Sequence, residues 1–123
     1  MSFAAPDPPA VLDAAALARL AELDPGGSAG LVQRVLSTYS SALERSHQEL
    51  LRVRQPLQSE PLRHLAHTLK SSSASVGALG LSALCAQVEQ HARSPAGDIG
   101  PLLDALLAEM QRVAGAVQAM LRA

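Results

Sequence analysis

Residues 100–120, GPLLDALLAEMQRVAGAVQAM, decide the fold class. Leu103, Leu106, Met110, Val113, Val117 and Met120 recur at steps of three and four, which gathers them on one side of a helix. A stripe of that kind is the seam of an antiparallel bundle and needs other helices to cover it. Asp98 or Gly100 is the expected cap. Gly115 costs about 1 kcal/mol relative to Ala inside a helix, and close helix packing is the reason expected for it.

Toward the N-terminus, the run Ser94-Pro95-Ala96-Gly97 is the clearest turn signal in the chain. The segment before it carries Leu81, Leu84, Cys85 and Val88 on an inward face, and Gly77 separates it from another helix. That helix begins near Ser59 with Pro61 in its first turn, and its inward stripe is Leu62, Leu65, Leu69, Ser72, Ser73 and Val76. A longer helix is expected from about Ser28 to Arg54, with Val32, Val35, Leu36, Tyr39, Leu43, Leu50 and Val53 on one face and Gln55-Pro56 closing it. Asp13 is the expected N-cap of a short leading helix with Leu17, Leu20 and Leu23, ended by Pro25-Gly26-Gly27. Residues 1–10, rich in Ala and Pro, read as a disordered tail, which leaves 11–123 as one domain. The expected architecture is all-α: an antiparallel up-and-down four-helix bundle with a short additional N-terminal helix.

Composition agrees. The 123 residues are 48 % hydrophobic, yet include one Phe, one Tyr and no Trp, so the core must be built from Ala, Leu and Val. Small and medium aliphatics suit packed helices better than a sheet. A net charge of -1 offers no global field toward nucleic acid or an anionic membrane. A single cysteine, Cys85, rules out an internal disulfide and reads as a small buried hydrophobe. The opening residues lack a signal-peptide pattern, and no apolar run reaches the roughly 20 residues a membrane span requires. A cytoplasmic, free-standing monomer is the expectation.

Catalytic signatures are missing: the sequence has no Gly-rich phosphate loop, no G-x-S-x-G, no H-E-x-x-H and no paired Cys ligands. Four histidines remain, His47, His64, His67 and His91. At about 100° per residue, His67 lies roughly 170° from the centre of its helix's apolar stripe and points into water. Arg63 and His64 precede it by one turn, Lys70 and Ser71 follow by one turn, and Ala74 lies beyond. The small residues Ser71 to Ser75 clear space around the imidazole at some cost in helix propensity. Lys70 is the one lysine among ten basic residues.

An imidazole, whose ordinary pKa is about 6.5, is mostly neutral near pH 7 and already nucleophilic. To attack an activated phosphoryl group it needs access for a partner and a nearby cation, which Lys70 at i+3 can supply. By spacing alone, a merely solvated histidine is the commoner case. His64 and His67 at i, i+3 make a poor metal site without a third ligand. His47 reads as packing or surface, and His91 as a residue near a helix C-terminus. Glu89 reads equally as a structural ion pair or a partner contact.

The stretch from Ala66-His67-Thr68-Leu69-Lys70-Ser71-Ser72-Ser73 through Gly77-Ala78, Leu81, Cys85 and Glu89 resembles the signature of the histidine-containing phosphotransfer (HPt) domain. That pattern reads A-H-x-L-K-G-S-[SA]-x-x-x-G-A-x-x-L-x-x-x-C-x-x-[LV]-E, and the match runs from residue 66 to residue 89 without a gap. The lead-in from Leu12-Asp13 to Gly27 is similar to the family's opening as well.

The resemblance implies that His67 accepts a phosphoryl group, expected at Nε2, and that Lys70 interacts with it. Arg63, His64, Ser71 and Ala74 would then belong to the partner face. It also implies receiver domains of response regulators as partners, with a hybrid sensor histidine kinase as a further donor. Magnesium would sit on the receiver, and the chain itself would hold no cofactor or metal and have no ATP-dependent kinase activity. One position departs: the family has Gly where this chain has Ser71, which suggests slower or partner-restricted transfer. The alternative function is a non-phosphorylated helical adaptor using the same face.

Overall fold

The computed structural model describes residues 11–123; the tail expected at residues 1–10 lies outside them. Five α-helices follow in order: α1 (Ala14–Ala21), α2 (Leu31–Val53), α3 (Ser59–Ser75), α4 (Leu79–Arg93) and α5 (Gly100–Arg122), with a short 3₁₀ turn at Pro25–Gly27. No strand occurs among the described residues. Short connections make successive long helices antiparallel neighbours. Helix α3 packs most extensively on α4, α2 lies against α3 and α5, and α4 against α5 closes the ring; α1 lies across α2 and α3.

The stripes read from the sequence form the core. Leu36, Leu43 and Leu50 of α2 meet Leu62 and Leu69 of α3, Leu81 and Val88 of α4, and Leu103, Leu106, Met110, Val113 and Val117 of α5, all buried. Val32, Val35, Ser72, Leu84 and Met120 sit half-buried at the stripe edges. Cys85 is buried and unpaired, and burial pushes its thiol up to about 12. Beneath α3, the Tyr39 hydroxyl and Ser73 Oγ share a buried hydrogen bond of 2.8 Å.

Asp13 caps α1 as expected, its carboxylate accepting from the Ala16 N–H at 3.0 Å. Its own N–H donates to the Gly77 carbonyl at 2.8 Å and ties α1 to the α3–α4 turn. That turn is a Schellman motif: the Ala78 N–H donates to Ser73 O and the Gly77 N–H to Ala74 O, with Gly77 at φ +84°. A Cβ on Gly77 would lie 2.8 Å from the Asp13 backbone, so only Gly fits.

Three expectations change. Leu23 lies past the end of α1 and is 74 % exposed, because the chain tightens there through i→i+3 bonds into the 3₁₀ turn. Helix α2 starts at Leu31 rather than Ser28. Gly30 is left-handed (φ +61°), and the Asp24 carboxylate accepts from the N–H groups of Ala29 and Leu31, each at 3.2 Å, before the helical path begins. Gly115 is exposed, and a Cβ built there meets nothing within 4 Å, so close helix packing is not its reason.

Candidate functional site

Helix α3 runs through four serines near its C-terminal end, and Ser72 and Ser75 return their hydroxyls to carbonyls one turn back, at Leu69 (3.2 Å) and Ser71 (3.0 Å). Only small side chains, Ser71, Ala74 and Ser75, stand exposed on this part of the helix. His67 stands on the outer face with its side chain 57 % exposed. Its expected orientation into water is only half of the geometry. One edge of the ring is turned to α4, where Nδ1 lies 2.9 Å from Glu89 Oε2.

Glu89 is the centre of the arrangement. Its side chain is 2 % exposed, and it reaches the α3–α4 seam from the inward face that also carries Cys85 and Val88. Lys70 Nζ donates to Oε1 at 2.7 Å, and an Arg93 guanidinium N–H donates to Oε2 at 2.8 Å. Hydrogen bonds from Lys70 first, and His67 second, hold the Glu89 carboxyl down at about 2, against the opposing effect of burial. The group is therefore ionised at any neutral pH. An ionised carboxylate only accepts, so Nδ1 is the donor in this contact and Nε2 is the ring nitrogen not engaged by it. The seam is fastened once more by Ser82, whose hydroxyl donates to the Lys70 carbonyl at 3.0 Å.

The remaining candidates divide. Ser71 and Ala74 are exposed on the outer face with His67. Arg63 is ion-paired to Glu60 on its own helix at 2.9 Å. His64 is exposed on the side toward α2, in a groove with Arg45, Ser46, Glu49 and Thr68, away from Glu89. His47 is half-buried between α2 and α5 beside Met110. His91 Nε2 approaches the Ala96 and Gly97 carbonyls at 3.1 and 3.3 Å and braces the α4–α5 loop. Among the described residues, no group of three or more His, Cys, Asp or Glu side chains is arranged to hold a metal ion. Nor is any helix long and apolar enough to cross a membrane.

Sequence reasoning missed Arg93 altogether and left Glu89 undecided. One signal was available: Glu89 is a carboxylate in register with an apolar stripe, and Arg93 follows it at i+4. A charge on a core-facing position is rarely there without partners.

Comparison with known proteins follows the same line. The family model described as Hpt domain matches residues 30–116. The crystal structure of histidine-containing phosphotransfer protein B (HptB) from Pseudomonas aeruginosa PAO1 superposes with a TM-score of 0.80 at 25 % identity, covering 94 % of this chain and 97 % of that one. No curated protein matches the sequence.

Proposed function

This chain belongs to the Hpt domain family, and from that premise we propose that it is a cytoplasmic phosphorelay carrier that accepts a phosphoryl group on His67 and passes it to a response regulator. The donor is an aspartyl phosphate on a receiver domain, free-standing or within a hybrid sensor kinase. The observation that carries the reading is the setting of His67, with Nδ1 engaged by a buried carboxylate and the side chain still 57 % exposed.

Transfer then balances without moving a proton. The Nε2 lone pair attacks phosphorus, the Nε2–P bond forms, and the P–O bond to the partner's aspartate breaks. The electron pair leaves with the aspartate carboxylate. Nδ1 keeps its proton, and the positive charge that the ring gains faces Glu89 at 2.9 Å. Lys70, 34 % exposed and one turn from His67, is the cation that offsets charge on the transferring group. Magnesium is supplied on the receiver, and the return step with the next receiver is the same reaction reversed. The chain contributes a nucleophile and its setting, and no ATP-dependent kinase activity.

Ser71 favours one rival, an adaptor that binds receivers without being phosphorylated, because a side chain stands where the family has Gly. Incubation with several ³²P-labelled receivers, beside His67→Gln, separates the two. Acid-labile label on the wild type and none on the variant supports the carrier. Equal receiver binding by both proteins with no label on either selects the adaptor.

A further inference from the structure

We propose that Arg93 is a positioning residue that holds Glu89 when Lys70 leaves it for the incoming phosphoryl group. The inference rests on the carrier reading and adds a residue that the HPt pattern, which ends at Glu89, does not reach.

The argument begins with a conflict. In the resting arrangement Lys70 is fastened to Glu89 Oε1 at 2.7 Å, so its charge is already committed. To meet a phosphoryl group on Nε2, Nζ must loosen or give up that bond. Glu89 is 2 % exposed and cannot turn to water for a replacement. Until the ring gains its own charge on forming the Nε2–P bond, a buried carboxylate deprived of Lys70 is strongly unfavourable, and that cost would fall on the approach to the transition state.

Arg93 removes it. Its guanidinium sits 2.8 Å from Oε2 at i+4 on the same helix, and its side chain is 58 % exposed, so it stays in place without being buried itself. The three donors to Glu89 come from two helices. Lys70 and His67 belong to α3, where the phosphoryl group arrives, whereas Arg93 shares α4 with Glu89 and need not move with them. The bookkeeping of charge agrees: Glu89, Lys70 and Arg93 together carry one net positive charge. A dianionic phosphoryl group can therefore draw Lys70 away while Glu89 remains neutralised.

The experiment measures phosphoryl transfer from a ³²P-labelled receiver to the full chain in five proteins: wild type, Arg93→Gln, Arg93→Lys, Glu89→Gln and the Arg93→Gln/Glu89→Gln double variant. Helicity and melting are recorded for each. Arg93→Gln is expected to slow transfer at least about tenfold, the order of effect seen when one partner of a close charge pair is truncated. Arg93→Lys should restore most of the rate. In the Glu89→Gln background, where no carboxylate can be stranded, removing Arg93 should change the rate less than about twofold. An equal loss in both backgrounds would overturn the proposal in favour of direct contact between Arg93 and the phosphoryl group. An unchanged rate in Arg93→Gln would overturn it outright while leaving the carrier reading intact. Absence of transfer to the wild type would overturn both.

Discussion

Replacing Tyr39 with Phe removes one hydroxyl from the buried pair beneath the His67 helix. Tyr39 is 4 % exposed and Ser73 fully buried, with 2.8 Å between their oxygens. A typical hydrogen bond contributes about 1 kcal/mol net, and a stranded buried partner adds about 1–3 kcal/mol. Ser73 can recover part of this by bonding the carbonyl one turn back, as its neighbours Ser72 and Ser75 do. The expected cost is therefore about 1–2 kcal/mol, or roughly 4 °C in Tm for each kcal/mol at this chain length. Circular dichroism at 222 nm during heating and urea unfolding measures it. Ser73→Ala should cost a similar amount, and the double variant less than the sum by about 1 kcal/mol. Tyr39→Phe as stable as the wild type, or strictly additive single effects, would refute the reasoning. Alkaline titration gives an independent reading, because burial pushes this phenol from 10.0 to about 12. Its folded value is raised above the unfolded one, so the contribution is intact below pH 10 and is lost as pH rises through about 12. With one Tyr and no Trp in the chain, phenolate absorbance at 295 nm follows Tyr39 alone.

Gly115→Ala should stabilise the protein by up to about 1 kcal/mol in urea unfolding, since the new methyl meets nothing within 4 Å and the helix gains propensity. Glu89 is depressed from 4.5 to about 2, so its ion pairs are intact above pH 4.5 and are lost as pH falls toward 2. Glu89→Gln should accordingly flatten the dependence of Tm on pH across that window, and an unchanged slope would contradict the pairing. Ser71→Gly should speed transfer with at least one receiver, even though it lowers helix stability by about 0.5 kcal/mol; stopped mixing with several labelled receivers checks it, and identical kinetics with all of them would remove any role for Ser71.

The bundle was legible because its helices advertise themselves twice, through period and through punctuation. The stripe from Leu103 to Val117 is fully buried where its spacing puts it, and Gly77 and Asp13 occupy the turn and cap their chemistry suits. Leu23 deceived because periodicity continues past a helix end: the residue keeps the phase of Leu17 and Leu20, yet the backbone has already tightened ahead of Pro25. The start of α2 depended on Gly30 being left-handed, a property of one backbone torsion that composition does not announce. Gly115 shows the opposite limit, since a glycine in a helix invites a packing explanation that only the surrounding space can test.

The site divides in the same way. The exposure of His67 and the small residues beside it follow from helical phase. That one ring edge is held by Glu89 does not, because the contact joins residues 22 positions apart across two helices. The spacing shows Lys70 as a cation one turn from His67, and only the α3–α4 packing reveals that its charge is already committed. Arg93 was invisible for the same reason: an arginine near a helix C-terminus is ordinarily a solvated one, and its importance appears only beside a buried carboxylate.

The central claim is that the phosphoryl group rides on Nε2 of His67 with Nδ1 still protonated against Glu89. Nitrogen NMR of ¹⁵N-histidine-labelled protein, phosphorylated by a receiver with magnesium present and ATP absent, tests it most directly. The account predicts a one-bond phosphorus coupling at Nε2 of His67, a retained Nδ1 proton, and unchanged signals from His47, His64 and His91. Coupling at Nδ1, at another histidine, or at none would contradict it.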